Sequence, residues 1–206
     1  MVQGPTGNPD SSWLLLFTAL VFILTAVSGI LLSQEKRGVV SAPIAARETP
    51  VVIDKGIAPP ALSARAVYAV DIESGKILFS KNVQEPLLPA STTKIMTSLV
   101  ALSHYNLDDI LAVNIGNVDG HRMGLKNGEK ITVRNLLYGL LVFSGNDAAE
   151  VLAANYPGGR ENFVNAMNSL AKRIGLENTN FKNPVGFDEY LHFSTAEDLV
   201  KVAAYA

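Results

Sequence analysis

Between Trp13 and Leu32 the chain runs for twenty residues without a charge (WLLLFTALVFILTAVSGILL). At about 1.5 Å rise per residue, a helix of that length crosses the ~30 Å hydrocarbon core of a bilayer. Trp13 stands at one edge, where interfacial aromatics belong. Two readings fit: an uncleaved transmembrane anchor, or a signal peptide with Ala26 and Ser28 as the small residues before a cut. The length of the run, and the absence of Lys or Arg before it, favour the anchor. The run divides the chain into an N-terminal tail (1–12), the span (13–32), a linker (33–63) and a folded region (64–206). Asp10 before the span and Lys36 and Arg37 after it would place the C-terminal side in the cytoplasm. Glu35 offsets part of that signal, and large domains can translocate against it.

The linker carries Pro43, Pro50, Pro59 and Pro60 among Ala, Val and Ser, with no sustained helical or strand period, and reads as an extended spacer. With 17 Lys and Arg against 19 Asp and Glu, the net charge of -2 gives no support to nucleic-acid binding. The chain has no cysteine, which excludes disulfides and thiolate chemistry. The three histidines are scattered and form no His-Glu-x-x-His pattern, so no metal or cofactor is expected.

From Ala64 the pattern becomes that of a globular unit. AVYAVDI (66–72) and KILFS (76–80) read as strands joined by the turn Glu73-Ser74-Gly75. Ser91 to Ser103, after Pro89, has one broad apolar face and reads as a buried helix. Lys126 to Glu129 is a turn, and Thr132 can cap a helix over 133–142. Residues 147–155 form a short Ala-rich helix closed by Pro157-Gly158-Gly159. Residues 161–174 are amphipathic, with Gly175 as the stop. Ser194-x-x-Glu197 reads as a capping box opening a last helix that reaches Ala206 with no stop signal. Strands followed by helices suggest an α/β layered unit, and two strands alone are too few for a stable sheet, so further strands are expected beyond these residues.

Two short motifs carry chemistry. In Ser91-Thr92-Thr93-Lys94 the hydroxyl and the amine share a helix face, and a lysine kept neutral by burial can take the serine proton. The spacing alone is common: Ser33 to Lys36 repeats it in the linker, and Ser169 to Lys172 repeats it at a helix C-terminus, where the dipole opposes an alkoxide. Only Ser91 opens a long apolar helix. Ser144-Gly145-Asn146 can project two polar side chains the same way from a tight turn, but it can equally be a helix-ending turn that caps the next helix.

In order, these are two of the three elements that mark penicillin-recognising serine enzymes. The surrounding stretches PLLPASTTKIMTSLVAL, LKNGEKITVRNLLYGLLVFSGNDAAEVLA and FVNAMNSLAKRIGLENTNFKNPVGFD, with HFSTAEDL after them, resemble blocks of the serine D-alanyl-D-alanine carboxypeptidase family. AVYAVDIESGKILFSKN is similar to that family's first hairpin. The resemblance covers 64–206. It implies an α/β, serine β-lactamase-like transpeptidase fold, seen in part as a helical cluster with a partial antiparallel sheet. It implies Ser91 as the acylated nucleophile, Lys94 as its general base, and Ser144 as a proton relay toward the leaving amine. Asn146 would bind the substrate peptide amide or orient Lys94. The implied substrate is a peptidoglycan stem peptide ending in D-Ala-D-Ala, with β-lactams as covalent inhibitors, outside the cytoplasm at the membrane. The family's third element, Lys-Thr-Gly or Lys-Ser-Gly, occurs nowhere in the 206 residues. That departure predicts a truncated polypeptide that is inactive or barely folded.

Close variants remain open: a D,D-endopeptidase, a serine β-lactamase of the same fold, or a non-enzymatic wall-associated module. No glutamate can be placed as a deacylation base, and Ser-Gly-Asn rather than Ser-Asp-Asn favours the peptidase. A Ser-His-Asp hydrolase lacks both Gly-x-Ser-x-Gly and a placed histidine. His192 is expected at the surface, His104 at a helix end, and His121 near the cleft but without a chemical role. Asp108-Asp109 reads as a solvated turn, and Tyr68 and Tyr138 as core or edge aromatics.

Overall fold

The computed structural model describes residue 56 and residues 58–206. The tail 1–12, the span 13–32 and most of the linker lie outside the described residues. Among those described, no helix is long and apolar enough to cross a membrane.

The first hairpin forms as its alternation requires. Strands β1 (Val67–Val70) and β2 (Ile77–Lys81) pair antiparallel, with Val67 opposite Lys81. At the turn the Asp71 carboxylate accepts the Ser74 backbone N–H at 2.8 Å, and Gly75 takes the left-handed conformation at φ 69°.

The helix expected from Ser91 begins two residues later. Ala90–Thr92 is a single 3-10 turn, and helix α1 runs Thr93–His104. The difference is local: Ala90 sits at φ 48°, and the Pro89 carbonyl is taken both by the Thr92 N–H (3.2 Å) and by the Thr92 hydroxyl (2.5 Å). These bonds tighten the entry into 3-10 geometry.

A second hairpin follows that the sequence pattern did not announce. Strands β3 (Ile110–Ala112) and β4 (Lys130–Thr132) pair antiparallel, Ile110 opposite Thr132. Three residues are too few for a two-residue period to show. Thr132 then caps helix α2 (Val133–Val142), its hydroxyl accepting the Asn135 N–H at 3.3 Å. Helices α3 (Asn146–Ala154) and α4 (Gly159–Arg173) follow. The last helix, α5 (Ala196–Tyr205), is capped by Thr195, whose hydroxyl accepts the Asp198 N–H at 3.1 Å. The expected box at Ser194 and Glu197 is therefore displaced by one residue. Ser194 is instead bridged to Leu87, and its hydroxyl meets that of Thr179 at 2.9 Å.

The apolar faces fill two packed clusters. One joins Ala101, Leu111, Val133, Leu136, Leu140, Leu152 and Val185; the other joins Met96, Val100, Phe163, Met167, Phe181 and Val202. Helix α1 contributes to both, Ala101 to the first and Met96 and Val100 to the second. The helix is thus packed on two sides.

Candidate active site

The nucleophile candidate sits where a strained turn meets α1. Ser91 is exposed, while Lys94, one turn deeper, is only 3% exposed. The Lys94 Nζ lies 3.3 Å from Ser91 Oγ and donates to the Val185 carbonyl at 2.8 Å. Burial alone holds its pKa below the ordinary lysine value, because a buried ammonium loses hydration. A neutral amine that donates to Val185 retains a lone pair for the Ser91 proton.

Ser144 completes the chain of hydroxyls. It lies between α2 and α3 in the left-handed region, at φ 58°, and its Oγ donates to Ser91 Oγ at 3.1 Å. That conformation is rare for a residue with a Cβ and aims the hydroxyl back at α1. Ser91, Lys94, Ile95, Leu140, Leu141 and Ser144 line a cleft of about 370 Å³. A larger hollow of about 590 Å³, lined by Ile115, Arg122, Leu125 and Asp147, includes neither Ser91 nor Lys94, so we take the smaller as the site.

Asn146 stands apart from the pair. It opens α3 and is 6% exposed; its Nδ2 donates to the Asp119 carbonyl at 2.8 Å, and its backbone N–H to the His121 carbonyl at 2.7 Å. It makes no hydrogen bond to Lys94, whose partners are Ser91 and Val185. Its Oδ1 accepts none from the described residues, which leaves it as the atom that can meet a ligand N–H.

Three features of the site had no clear sequence signal. The first is Val185-Gly186, with Val185 lying 91 residues beyond Lys94 in the chain and in contact with it. Gly186 has φ 92°, and a Cβ there would fall 1.9 Å from the Ala90 carbonyl oxygen. Asn183, 1% exposed, shapes this loop: its Oδ1 accepts from the backbone N–H groups of Val185, Gly186 and Phe187 at 3.3, 2.7 and 3.0 Å. The second is Asp147, whose buried carboxylate accepts the N–H groups of Met123 (2.9 Å), Gly124 (2.9 Å) and Leu125 (3.1 Å) and pins the 119–125 loop beside Asn146.

The third is His192, expected at the surface and found 2% exposed. Its Nδ1 accepts the Lys182 N–H at 3.1 Å and its Nε2 meets Thr93 Oγ1 at 3.1 Å. The apolar phenylalanine ring of Phe181 packs edge-on against it. Burial holds the imidazole pKa below its ordinary value, with Glu189 and Asp188 opposing. His121 is exposed and contributes its backbone carbonyl rather than its ring. Among the described residues, no group of three or more His, Cys, Asp or Glu could hold a metal. The Ser169-x-x-Lys172 repeat does not form a pair: Ser169 Oγ donates to the Asn165 carbonyl at 2.8 Å, and Lys172 is exposed.

The model of the D-alanyl-D-alanine carboxypeptidase family, peptidase S11, matches residues 53–206. The chain belongs to this family. It is 37% identical over 147 residues to the D-alanyl-D-alanine carboxypeptidase DacF of Bacillus subtilis, a match covering 68% of this chain and 38% of that protein. It is 37% identical over 145 residues to a D-alanyl-D-alanine endopeptidase of Pseudomonas aeruginosa, covering 68% of this chain and 46% of the relative. Among solved structures, penicillin binding protein 5 of Haemophilus influenzae superposes with a TM-score of 0.67 at 33% identity, covering 73% of this chain and 46% of the other. The chain thus spans less than half the length of these relatives. The helices and small antiparallel sheets described above belong to the D-alanyl-D-alanine carboxypeptidase fold.

Proposed function

We propose that this protein is a serine-type D-alanyl-D-alanine carboxypeptidase acting on peptidoglycan stem peptides through an acyl-serine. The observation that carries the reading is that Ser91 Oγ lies within 3.3 Å of Lys94 Nζ and within 3.1 Å of Ser144 Oγ. Lys94, whose pKa burial lowers, takes the Ser91 proton in its neutral form as Oγ attacks the carbonyl of the penultimate D-alanine. The tetrahedral intermediate collapses with the C–N bond breaking. The terminal D-alanine amine leaves with a proton passed from Lys94 through Ser144. Water then adds to the acyl-serine and regenerates the enzyme. Asn146 Oδ1 accepts a peptide N–H of the substrate and fixes its register. Residues 13–32 hold the catalytic region to the membrane on its extracytoplasmic side.

A D,D-endopeptidase uses the same acylation and differs in the amine expelled, and the Pseudomonas relative favours keeping that reading. Lys-Thr-Gly, which supplies a further oxyanion donor in this family, does not occur in the sequence.

A fluorescent penicillin tests the assignment. Covalent label is expected on the parent chain and on no Ser91→Ala variant. Labelling of Ser91→Ala as fast as the parent would sink the reading. Rapid drug turnover would point to a β-lactamase, and no labelling of any form to a non-enzymatic module. Release of free D-alanine from a pentapeptide, against cleavage of a crosslinked dimer, separates the two peptidase forms.

A further inference from the structure

We propose that His192 is a positioning residue for the Ser91–Lys94 pair, clamping the 182–187 loop onto the first turn of α1. The inference rests on the assignment of Lys94 as base. A buried imidazole that accepts the Lys182 backbone N–H at Nδ1 carries its own proton on Nε2, and that proton points at Thr93 Oγ1, 3.1 Å away. One ring therefore bonds both partners at once: the backbone that opens the loop and the residue immediately before Lys94.

Two further bonds run in the same direction. Thr97 Oγ1 donates to the Pro184 carbonyl at 2.7 Å, and Lys94 Nζ to the Val185 carbonyl at 2.8 Å. Helix α1 thus grips consecutive carbonyls of the loop through residues 97 and 94, while residue 93 is held to the loop's start through His192. Gly186 closes the seam against Ala90. Of these groups, Lys94 alone has chemistry to perform, and the position of its acceptor decides where the amine's lone pair points. His192 touches neither Ser91 nor the cleft, so it acts through the loop.

The clamp needs a donor at Nε2 and an acceptor at Nδ1, not a charge. A glutamine can supply an amide donor toward Thr93; a leucine supplies neither group. Thr93→Val keeps the shape of the threonine and deletes only the acceptor, while Thr93→Ser keeps it. The four variants, made in the full chain, are compared by the rate of acylation with a fluorescent penicillin and by the titration of the Lys94 side chain followed by ¹⁵N NMR.

His192→Leu and Thr93→Val are expected to acylate about tenfold more slowly, since a small misplacement of a reacting group costs about that or more. Their Lys94 titration should move up toward the ordinary value as water reaches the loosened seam. His192→Gln and Thr93→Ser should keep both properties close to the parent's. The inference is overturned if Thr93→Val retains the parent's Lys94 titration, or if Val and Ser at 93 are equally impaired, which would mean packing alone matters. If His192→Leu does not fold, Thr93→Val, which keeps the threonine's shape, decides the comparison. Persistent labelling of Ser91→Ala would instead sink the nucleophile assignment, and the titration would still report whether the clamp holds Lys94.

Discussion

Ala90 and Gly186 meet backbone to backbone, both in the left-handed region, at φ 48° and φ 92°. The contact leaves no room for a side chain: a Cβ on Gly186 would fall 1.9 Å from the Ala90 oxygen and 3.1 Å from the Ser91 nitrogen. Gly186→Ala must therefore push the loop away from Ser91, and its φ adds strain of its own. Loss of about 3 kcal/mol of stability is expected, together with loss of penicillin labelling. Urea denaturation and a labelling gel check both, and an unchanged midpoint would remove Gly186 from the account of the site.

Ser144 separates chemistry from conformation. Ser144→Ala deletes the hydroxyl and keeps the strained φ of 58°, whereas Ser144→Gly deletes the hydroxyl and relieves the strain. Both variants are expected to label poorly. The glycine form should nonetheless be the more stable by about 0.5–1 kcal/mol, the left-handed penalty less the entropy of an added glycine. Thermal melts of the pair decide it; an alanine form as stable as the glycine form would show that the strain is no larger than the entropy of the added glycine.

Asp147 supports the loop that holds Asn146. Its two oxygens accept four backbone N–H groups, those of Met123, Gly124, Leu125 and Ala148. Asp147→Asn turns one acceptor into a donor facing other donors, and Asp147→Ala leaves all four N–H groups without it. Each is expected to cost about 3 kcal/mol or more. Amide exchange at residues 123–125 should rise before the rest of the domain opens, and uniform protection across the loop would contradict the expectation.

Lys94 fixes the pH response. Its pKa is lowered from 10.5 by burial, so the folded state releases the proton at a pH where the unfolded chain still binds it. Between the depressed value and 10.5 the unfolded state therefore holds more protons, and stability should rise with pH through that window. Below the depressed value both states are charged, and the buried ammonium keeps a constant penalty. Acylation should rise along a limb with its midpoint below 10.5 as the neutral amine appears. A stopped-flow pH profile measures the midpoint, and one at or above the ordinary lysine value would contradict the assignment of Lys94 as base.

The sequence carried the site unevenly. Ser91 and Lys94 were legible because a three-residue spacing on an apolar helix fixes their proximity, and Ser144 because it interrupts two helical patterns. The two decoy pairs were also separable: Ser33 and Lys36 by their place in the linker, Ser169 and Lys172 by the end of the helix they occupy. Val185, Gly186 and His192 were not legible, since the loop that carries them has no period and meets α1 only through tertiary contact. His192 was misplaced for the same reason: its acidic neighbours in sequence suggested a solvated histidine, while its burial comes from Phe181 and Thr93. Strands β3 and β4 were too short to announce themselves. At α5 two adjacent hydroxyl residues offered the same cap, and Ser194 was already committed to Leu87 and Thr179.

Helix α1 draws on both packed clusters, and this makes the Ser91–Lys94 pair a common gauge of two separate interiors. A methylene removed beneath either flank, at Phe163 on one side or Leu136 on the other, would tilt the same short rod. Damage far from the cleft would then surface first as slower chemistry, while most of the molecule still held its shape.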